Sequence, residues 1–96
     1  MQEAHFEWDD EKAAKNVAAH GVGFETAKLV FGDAFGVELL DDRRDYGEER
    51  WVRIGMVEGT IVTVVYTERS ERRRLISARQ ATKLEQDDYF RQNAER

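Results

Sequence analysis

An arginine-rich segment stands out in a chain that is acidic overall. Residues 72–81 read RRRLISARQA, so three consecutive arginines lead into two aliphatic residues and Arg79 follows at the far end. The chain has 15 Lys and Arg against 20 Asp and Glu, yet residues 50–83 carry 8 basic and 3 acidic side chains. A local basic field suits an anionic ligand, and the arginine fork binds two phosphate oxygens at once. The segment therefore predicts contact with phosphate, and the alternative is a set of solvated strand arginines.

Three helices are predicted, at residues 10–20, 23–32 and 82–93. They must help to hold the basic segment in place. The first begins at a cap provided by Asp9 or Asp10 and ends at Gly21, which supplies a left-handed stop. The last opens with the capping box TKLE at residues 82–85. Its large apolar residues form no clean stripe, so we expect this helix to need a partner.

In four segments apolar residues recur at every second position, which predicts strands at residues 36–41, 50–57, 60–69 and 73–79. Glu58-Gly59 is typical of a two-residue hairpin turn. Successive side chains of a strand point to opposite faces of the sheet. The residues on one side of the predicted strands are mostly apolar and can form a core under the helices. The residues on the other side include Arg53, Arg69 and Arg79 together with Leu75, and we expect these residues to share the more polar face. The predicted fold is α+β, in the order α-α-β-β-β-β-α with an antiparallel sheet.

Composition narrows the class of protein. The 96 residues predict one domain covering the whole chain, with 41% hydrophobic residues and no Cys. The absence of Cys excludes disulfides and thiolate metal sites, and we expect no metal and no cofactor. The longest apolar run, residues 61–66, is too short to span a membrane, and the start of the chain shows no apolar signal region. These features favour a cytoplasmic protein.

Several motifs together resemble the BrnT family of type II toxins. They are FEWDDEKAAKNVAAHGVGFETAKLVF at 6–31, ER at 49–50, VVYTER at 64–69 and LISARQATKLE at 75–85. The resemblance implies a RelE-like fold and a metal-independent endoribonuclease that cleaves RNA and inhibits growth. It also implies a partner, a BrnA-type ribbon-helix-helix antitoxin, in a heterotetramer that binds operator DNA through the antitoxin. Gly23 departs from the family pattern, where Ser, Asp or Glu is expected, and this weakens one helix cap.

Metal-free RNA cleavage requires a group that accepts the 2′-hydroxyl proton, cations for the developing phosphorane charge and a donor to the leaving oxygen. Arg79 is the first choice for the cation, and Arg69 and Arg53 follow it. His20 is a candidate general base or acid, because its reference pKa lies near 6.5. Lys12, on the same helix edge as His20, is a candidate phosphate contact.

Each of these residues also has a structural interpretation. Arg53 can form a surface ion pair with an acidic residue such as Glu49, which is itself a candidate base if desolvated. His20 can bind the last carbonyls of its helix, and Lys12 can be a solvated helix lysine.

Two neighbouring residues are candidates for substrate binding. Arg50 and Trp51 begin a predicted strand, and Trp51 and Trp8 can each stack an RNA base. Core packing is the alternative for both tryptophans, and it is favoured for Trp8.

Two other classes of function were compared with the ribonuclease. A catalytically inactive toxin homologue would bind its antitoxin and act as a co-repressor module, and the residues alone leave this alternative open. A sheet-based RNA-binding domain conflicts with the predicted element order and with the absence of aromatic pairs on the central strands.

Overall fold

A five-stranded sheet forms the centre of the protein, which is seen in a computed structural model describing residues 1–94. The strands are β1 (Phe6–Glu7), β2 (Val37–Asp41), β3 (Arg50–Val57), β4 (Thr60–Arg69) and β5 (Arg72–Gln80). The helices are α1 (Asp10–His20), α2 (Phe24–Ala27) and α3 (Lys83–Ala94), with a 3-10 helix at Lys28–Gly32 directly after α2. The strand order is β1-β5-β4-β3-β2. All neighbouring strands are antiparallel except β1 and β5, which are parallel.

The predicted mixed α+β order is broadly confirmed. The bounds of β3 and β4 agree with the predicted strands, β2 begins one residue later than predicted, and β5 is one residue longer at each end. The short strand β1 was missed because two residues give no alternating pattern. Its parallel pairing with Arg73 and Arg74 means that the sheet is not wholly antiparallel as predicted.

Local signals explain why the helices begin and end where they do. Asp9 caps α1 by accepting a hydrogen bond from the backbone N–H of Lys12 at 3.0 Å. Gly21 ends α1 in the left-handed region, with φ of 71°. The predicted capping box is also present before α3, because Thr82 and Glu85 exchange side chain-to-backbone hydrogen bonds of 3.2 and 2.9 Å.

The two faces of the sheet bury different clusters. On the face that we call the α1 face, Val62, Val64 and Ala78 pack against Phe24 and Val30. The opposite face, which we call the α3 face, carries a smaller cluster formed by Val37, Ile54, Ile61, Ala81 and Tyr89. Helices therefore cover both faces, and α3 covers its face only in part.

The register places Arg53 and Arg79 on opposite faces. Arg53 lies opposite Val64, whereas Arg79 lies opposite Thr63. Directly opposed residues of antiparallel strands share a face, and consecutive residues of one strand do not. Arg69 and Arg79 thus share the α3 face, and the prediction that Arg53 lies with them is wrong.

Two features of the hairpins account for this correction. The two-residue turn at Glu58-Gly59 sets Val57 opposite Thr60, so even-numbered residues of β3 face odd-numbered residues of β4. A register shift at Val65/Tyr66 then brings Leu75 opposite Tyr66. Leu75 is consequently buried on the α1 face, and its predicted place on the polar face is also wrong.

The last helix is better anchored than its sequence predicts. Tyr89 is only 5% exposed, and its hydroxyl donates to Oδ2 of Asp33 at 2.6 Å. Asn93 donates from its side-chain amide to the carbonyl of Phe35 at 3.1 Å. Leu84 and Phe90 remain 69% and 54% exposed, so α3 still presents apolar side chains to solvent.

Candidate functional site

An open cleft of about 220 Å³ lies on the α3 face, where the end of β5 meets the start of α3. Its apolar wall includes Leu39, Val52 and Val65. The charged residues that line the same cleft are Arg79, Glu85 and Asp88 at the α3 end and Asp41, Asp42 and Arg43 at the β2 end. The cleft therefore combines a surface for an apolar or aromatic group with a cation for an anion.

Arg79 is held in this cleft by a two-point ion pair. Its Nη1 lies 2.6 Å from Oε1 of Glu85, and its Nη2 lies 3.0 Å from Oε2. The Glu85 Oε1 also accepts hydrogen bonds from the Thr63 hydroxyl at 3.1 Å and the Thr82 backbone N–H at 2.9 Å. The carboxylate is thus fixed from three elements, while the Arg79 side chain keeps 37% exposure to solvent. This geometry presents an oriented guanidinium to the cleft.

Glu85 is suited to orient Arg79 and poorly suited to accept a proton. Burial opposes its ionisation, but hydrogen bonds from Arg79 and the Thr82 backbone outweigh it and lower the Glu85 pKa to about 2. A carboxylate with so low a pKa is a weak general base at neutral pH. Sequence reasoning had found Glu85 only as a helix cap.

A second guanidinium borders the cleft on the side of β2. Asp41 is nearly fully buried and accepts two hydrogen bonds from Arg43, at 2.8 and 2.9 Å, and one from the Tyr46 hydroxyl at 3.2 Å. The bonds from Arg43 are the main reason why the Asp41 pKa falls to about 2. Arg43 itself is 69% exposed. It was missed because only the fold brings residues 41–43 beside Arg79.

Arg69 belongs to a different cluster from Arg79. Thr63, opposite Arg79, and Arg69 are six residues apart on β4, which corresponds to roughly 20 Å along the strand. Arg69 contacts Glu48 at 3.4 Å, and Arg50 contacts the other oxygen of the same carboxylate at 3.4 Å. The structure therefore brings Arg50 and Arg69 together and separates both of them from Arg79.

Arg53 forms hydrogen bonds with backbone carbonyls on the α1 face. Its Nη2 donates to the carbonyl of Asp33 at 2.8 Å, and its Nε donates to the carbonyl of Val30 at 3.4 Å. The side chain is 17% exposed, and its guanidinium lies 5.9 Å from the centre of the Phe31 ring. A Cβ at Gly36 would approach this guanidinium to 2.6 Å, so a side chain there would displace the Arg53 guanidinium. The geometry favours a structural role for Arg53, and its acidic partner is Glu38 at 3.7 Å in place of Glu49.

This interpretation predicts a loss of stability. We expect Arg53→Met, which keeps an unbranched apolar stem, to lower the free energy of unfolding by about 2 kcal/mol, because two backbone carbonyls lose a charged donor. Urea denaturation would measure the change, and Arg69→Met, at an exposed arginine with one long contact, is the matched control. Unchanged stability of Arg53→Met together with lost RNA cleavage would instead support the predicted catalytic role.

The predicted helical candidates lie away from the cleft. Lys12 and His20 are both exposed on α1, and neither lines the cleft. The residue between them, Asn16, is buried and binds the backbone of β5. His20 is the last residue of α1, a position where a histidine can interact with the helix C-terminus.

The tryptophans differ in exposure. Trp8 is 5% exposed and makes an edge-on contact with Phe24 at 5.7 Å, as expected for a core residue. Trp51 is half-buried at the start of β3, opposite Tyr66, so part of its ring can still meet a base. Its predicted role in substrate binding stays a prediction.

The arginine run that opens β5 holds the N-terminal segment. Arg72 donates from Nε to the carbonyl of Glu3 at 2.7 Å, and Arg74 forms an ion pair with the buried Glu7 at 2.6 Å. The guanidinium of Arg73 lies 4.5 Å from the centre of the Phe31 ring. Within residues 72–79, Arg79 is thus the arginine that the structure presents to the cleft.

Residues 1–94 contain neither a metal-binding cluster nor a membrane-spanning helix. No group of three or more His, Asp or Glu side chains is placed to hold a metal ion within that range. Within the same residues, no helix has the length and apolar character needed to cross a membrane.

Comparison with known proteins agrees with the family motifs in the sequence. The family model described as "Ribonuclease toxin, BrnT, of type II toxin-antitoxin system" matches residues 8–85, a range that includes Arg79 and Glu85. No curated protein gives a significant match. Because the family model covers far more than half of the 96 residues, the chain belongs to the BrnT family of ribonuclease toxins of type II toxin-antitoxin systems.

Proposed function

We propose that this protein is an endoribonuclease toxin that cleaves RNA without a metal ion and uses the cleft on the α3 face. The observation that carries the proposal is the Arg79 guanidinium, held by Glu85 at two points and still 37% exposed beside an apolar wall. Family membership supports the ribonuclease class. An RNA phosphate bound at Arg79 leaves a flanking base next to the apolar wall.

The cleft residues are suited to stabilise charge in the transition state. Attack of the 2′-hydroxyl oxygen on the adjacent phosphorus forms a 2′,3′-cyclic phosphate and breaks the bond to the 5′-oxygen, while the hydroxyl proton passes through solvent to that leaving oxygen. Negative charge builds on the phosphorane oxygens in this step, and a preoriented guanidinium stabilises that charge. Arg79 is the principal group in this role, and Arg43 can contact the flanking phosphate from the other side of the cleft. Neither Glu85 nor Asp41 is the general base in this proposal, since both carboxyl groups have a pKa of about 2.

The other candidates occupy supporting positions in the proposal. Arg50 and Arg69 bind phosphates farther along the RNA, because they lie together near the far end of β4 from Arg79. Lys12 and His20 are accessible on α1, and an RNA that continues around the sheet edge would meet them there.

We further propose that the partner is a BrnA-type ribbon-helix-helix antitoxin. The antitoxin would neutralise the toxin in the cytoplasm and form with it a heterotetramer that binds operator DNA. The fold of the toxin itself would be RelE-like. The exposed Leu84 and Phe90 on α3 support a docking surface next to the cleft. Tyr89 on the same helix is buried, with its hydroxyl bound to Asp33, and does not contribute to that surface.

Expression and chelator experiments test this function. We expect the chain to arrest growth when it is expressed without an antitoxin, and the purified protein to cleave bulk RNA in EDTA as fast as without it. Cleavage would be followed by gel electrophoresis, with the protein purified from its antitoxin complex.

Two results would contradict the proposal in different ways. High expression without growth arrest, together with absent RNA cleavage, would favour the inactive co-repressor module. Cleavage that stops in EDTA and returns with Mg²⁺ would show that the mechanism depends on a metal.

A further inference from the structure

Asn16 makes an unusual set of contacts for a residue of a polar helix. It is the buried residue of α1, with 7% exposure. Its side-chain Nδ2 donates to the carbonyl of Val22 at 2.9 Å and to the carbonyl of Ala78 at 2.8 Å. Its Oδ1 accepts the backbone N–H of Ala78 at 3.1 Å. One amide thus joins α1, the segment after it and β5.

The contact at Ala78 replaces a missing strand. On the outer side of β5, strand β1 pairs only with Arg73 and Arg74. Farther along β5, the side-chain amide of Asn16 forms hydrogen bonds with both the N–H and the carbonyl of Ala78, as a residue of a neighbouring strand would. Asn16 therefore completes the edge of β5 immediately before Arg79.

We propose that Asn16 is a positioning residue for Arg79, an inference that rests on the function proposed above. Ala78 and Arg79 point to opposite faces of β5, so fixing the Ala78 backbone from the α1 side sets where the Arg79 side chain leaves the strand. A guanidinium that stabilises a transition state must be placed accurately, and a displacement of about 1 Å can reduce a rate by roughly 100-fold. Glu85 binds the guanidinium of Arg79, and Asn16 fixes the backbone of Ala78, from which Arg79 follows.

The test compares Asn16→Ala with a matched change elsewhere on the sheet. Thr67 is 4% exposed, and its hydroxyl donates to the carbonyl of Glu49 at 2.6 Å, so Thr67→Val also removes a buried bond from a side chain to the backbone. Thr67 lies opposite Arg74, in the part of β5 that β1 already pairs. Both variants would be assayed with a short RNA at a temperature where circular dichroism shows them folded.

We expect Asn16→Ala to lower kcat by roughly 10- to 100-fold with little change in KM, because placement in the transition state is lost while RNA binding is kept. Thr67→Val should leave kcat close to that of the unsubstituted protein. Hydrogen exchange followed by NMR should show faster exchange of the Ala78 amide in Asn16→Ala only. In Asn16→Asp, whose carboxylate can still accept the Ala78 N–H but cannot donate to the carbonyls of Val22 and Ala78, we expect an intermediate kcat.

Several outcomes would overturn the proposal. One is a folded Asn16→Ala with unchanged kcat, and another is an equal loss in Thr67→Val. If neither Asn16 variant folds, rapid exchange of the Ala78 amide in the unsubstituted protein would overturn it, and protection would support it.

Arg79→Ala in the same assay separates this inference from the proposed function. Full activity of that variant would remove Arg79 from the active site and with it the positioning role. Exchange at Ala78 would still show whether Asn16 holds the edge of β5.

Discussion

We expect Arg79→Ala to lower the rate of RNA cleavage by roughly 100- to 1,000-fold while the protein stays folded, because removal of a preoriented donor to a developing oxyanion has effects of this size. The fold should survive because Glu85 keeps its bonds to the Thr82 backbone and to Thr63. Single-turnover cleavage of a short RNA would measure the rate, and circular dichroism would measure the folded fraction.

Three further variants sharpen this experiment. Arg79→Lys keeps the charge without the planar fork and should recover only part of the activity. Glu85→Gln keeps the size of the side chain and removes the charge that holds Arg79, so it should lower kcat less than Arg79→Ala. Lys83→Ala removes another ion-paired basic residue of α3, whose partner Asp87 does not line the cleft, and should leave cleavage unchanged. A folded Arg79→Ala variant with undiminished cleavage would refute the assignment.

We expect reversal of both Arg69 and Arg79 to glutamate to weaken the complex with the antitoxin by roughly 100-fold or more, because truncating or reversing a buried charged contact commonly costs several kcal/mol. An antitoxin that masks the cleft must offer a carboxylate or a carbonyl to each arginine that it buries. Isothermal titration calorimetry would measure the affinity, which should also fall as salt is added.

The distance between the two arginines allows their contributions to be separated. Because they lie roughly 20 Å apart, the single reversals should act almost independently, and the larger effect identifies the covered end of β4. Phe90→Ala tests the apolar side of the same surface, since this side chain is 54% exposed on α3. Affinity unchanged by the double reversal would place the antitoxin elsewhere on the protein.

Local patterns were sufficient to predict most of the elements. The bounds of β3 and β4, the Asp9 cap and the capping box at Thr82 and Glu85 agree with the structure, because each depends on residues that are close in sequence. Arg79 was identified in the same way, from its place between a strand end and a helix start. The short strand β1 had no local signal, since its two residues are held by pairing with β5.

The face on which each arginine lies depends on the fold as well as on alternation. A two-residue turn and a register shift set which residues of neighbouring strands share a face of the sheet. Arg53 therefore shares a face with Val64 and not with Arg79. The turn at Glu58-Gly59 was itself predicted, so this part of the register could have been worked out from the sequence. The shift at Val65/Tyr66 could not, because it is a property of the pairing between two strands and no local pattern marks it.

Residue types and local patterns were enough to predict a basic stretch, the strands that carry it and a phosphate-binding candidate in Arg79. They could not show which arginines already have partners in the fold, since Arg53 binds backbone carbonyls and Arg74 binds Glu7. The same holds for Asn16, whose bonds to Ala78 join residues 62 positions apart in the chain. The physical reason is that residue type sets what a side chain can bind, whereas its partner is set by long-range pairing and burial, which a local pattern does not contain.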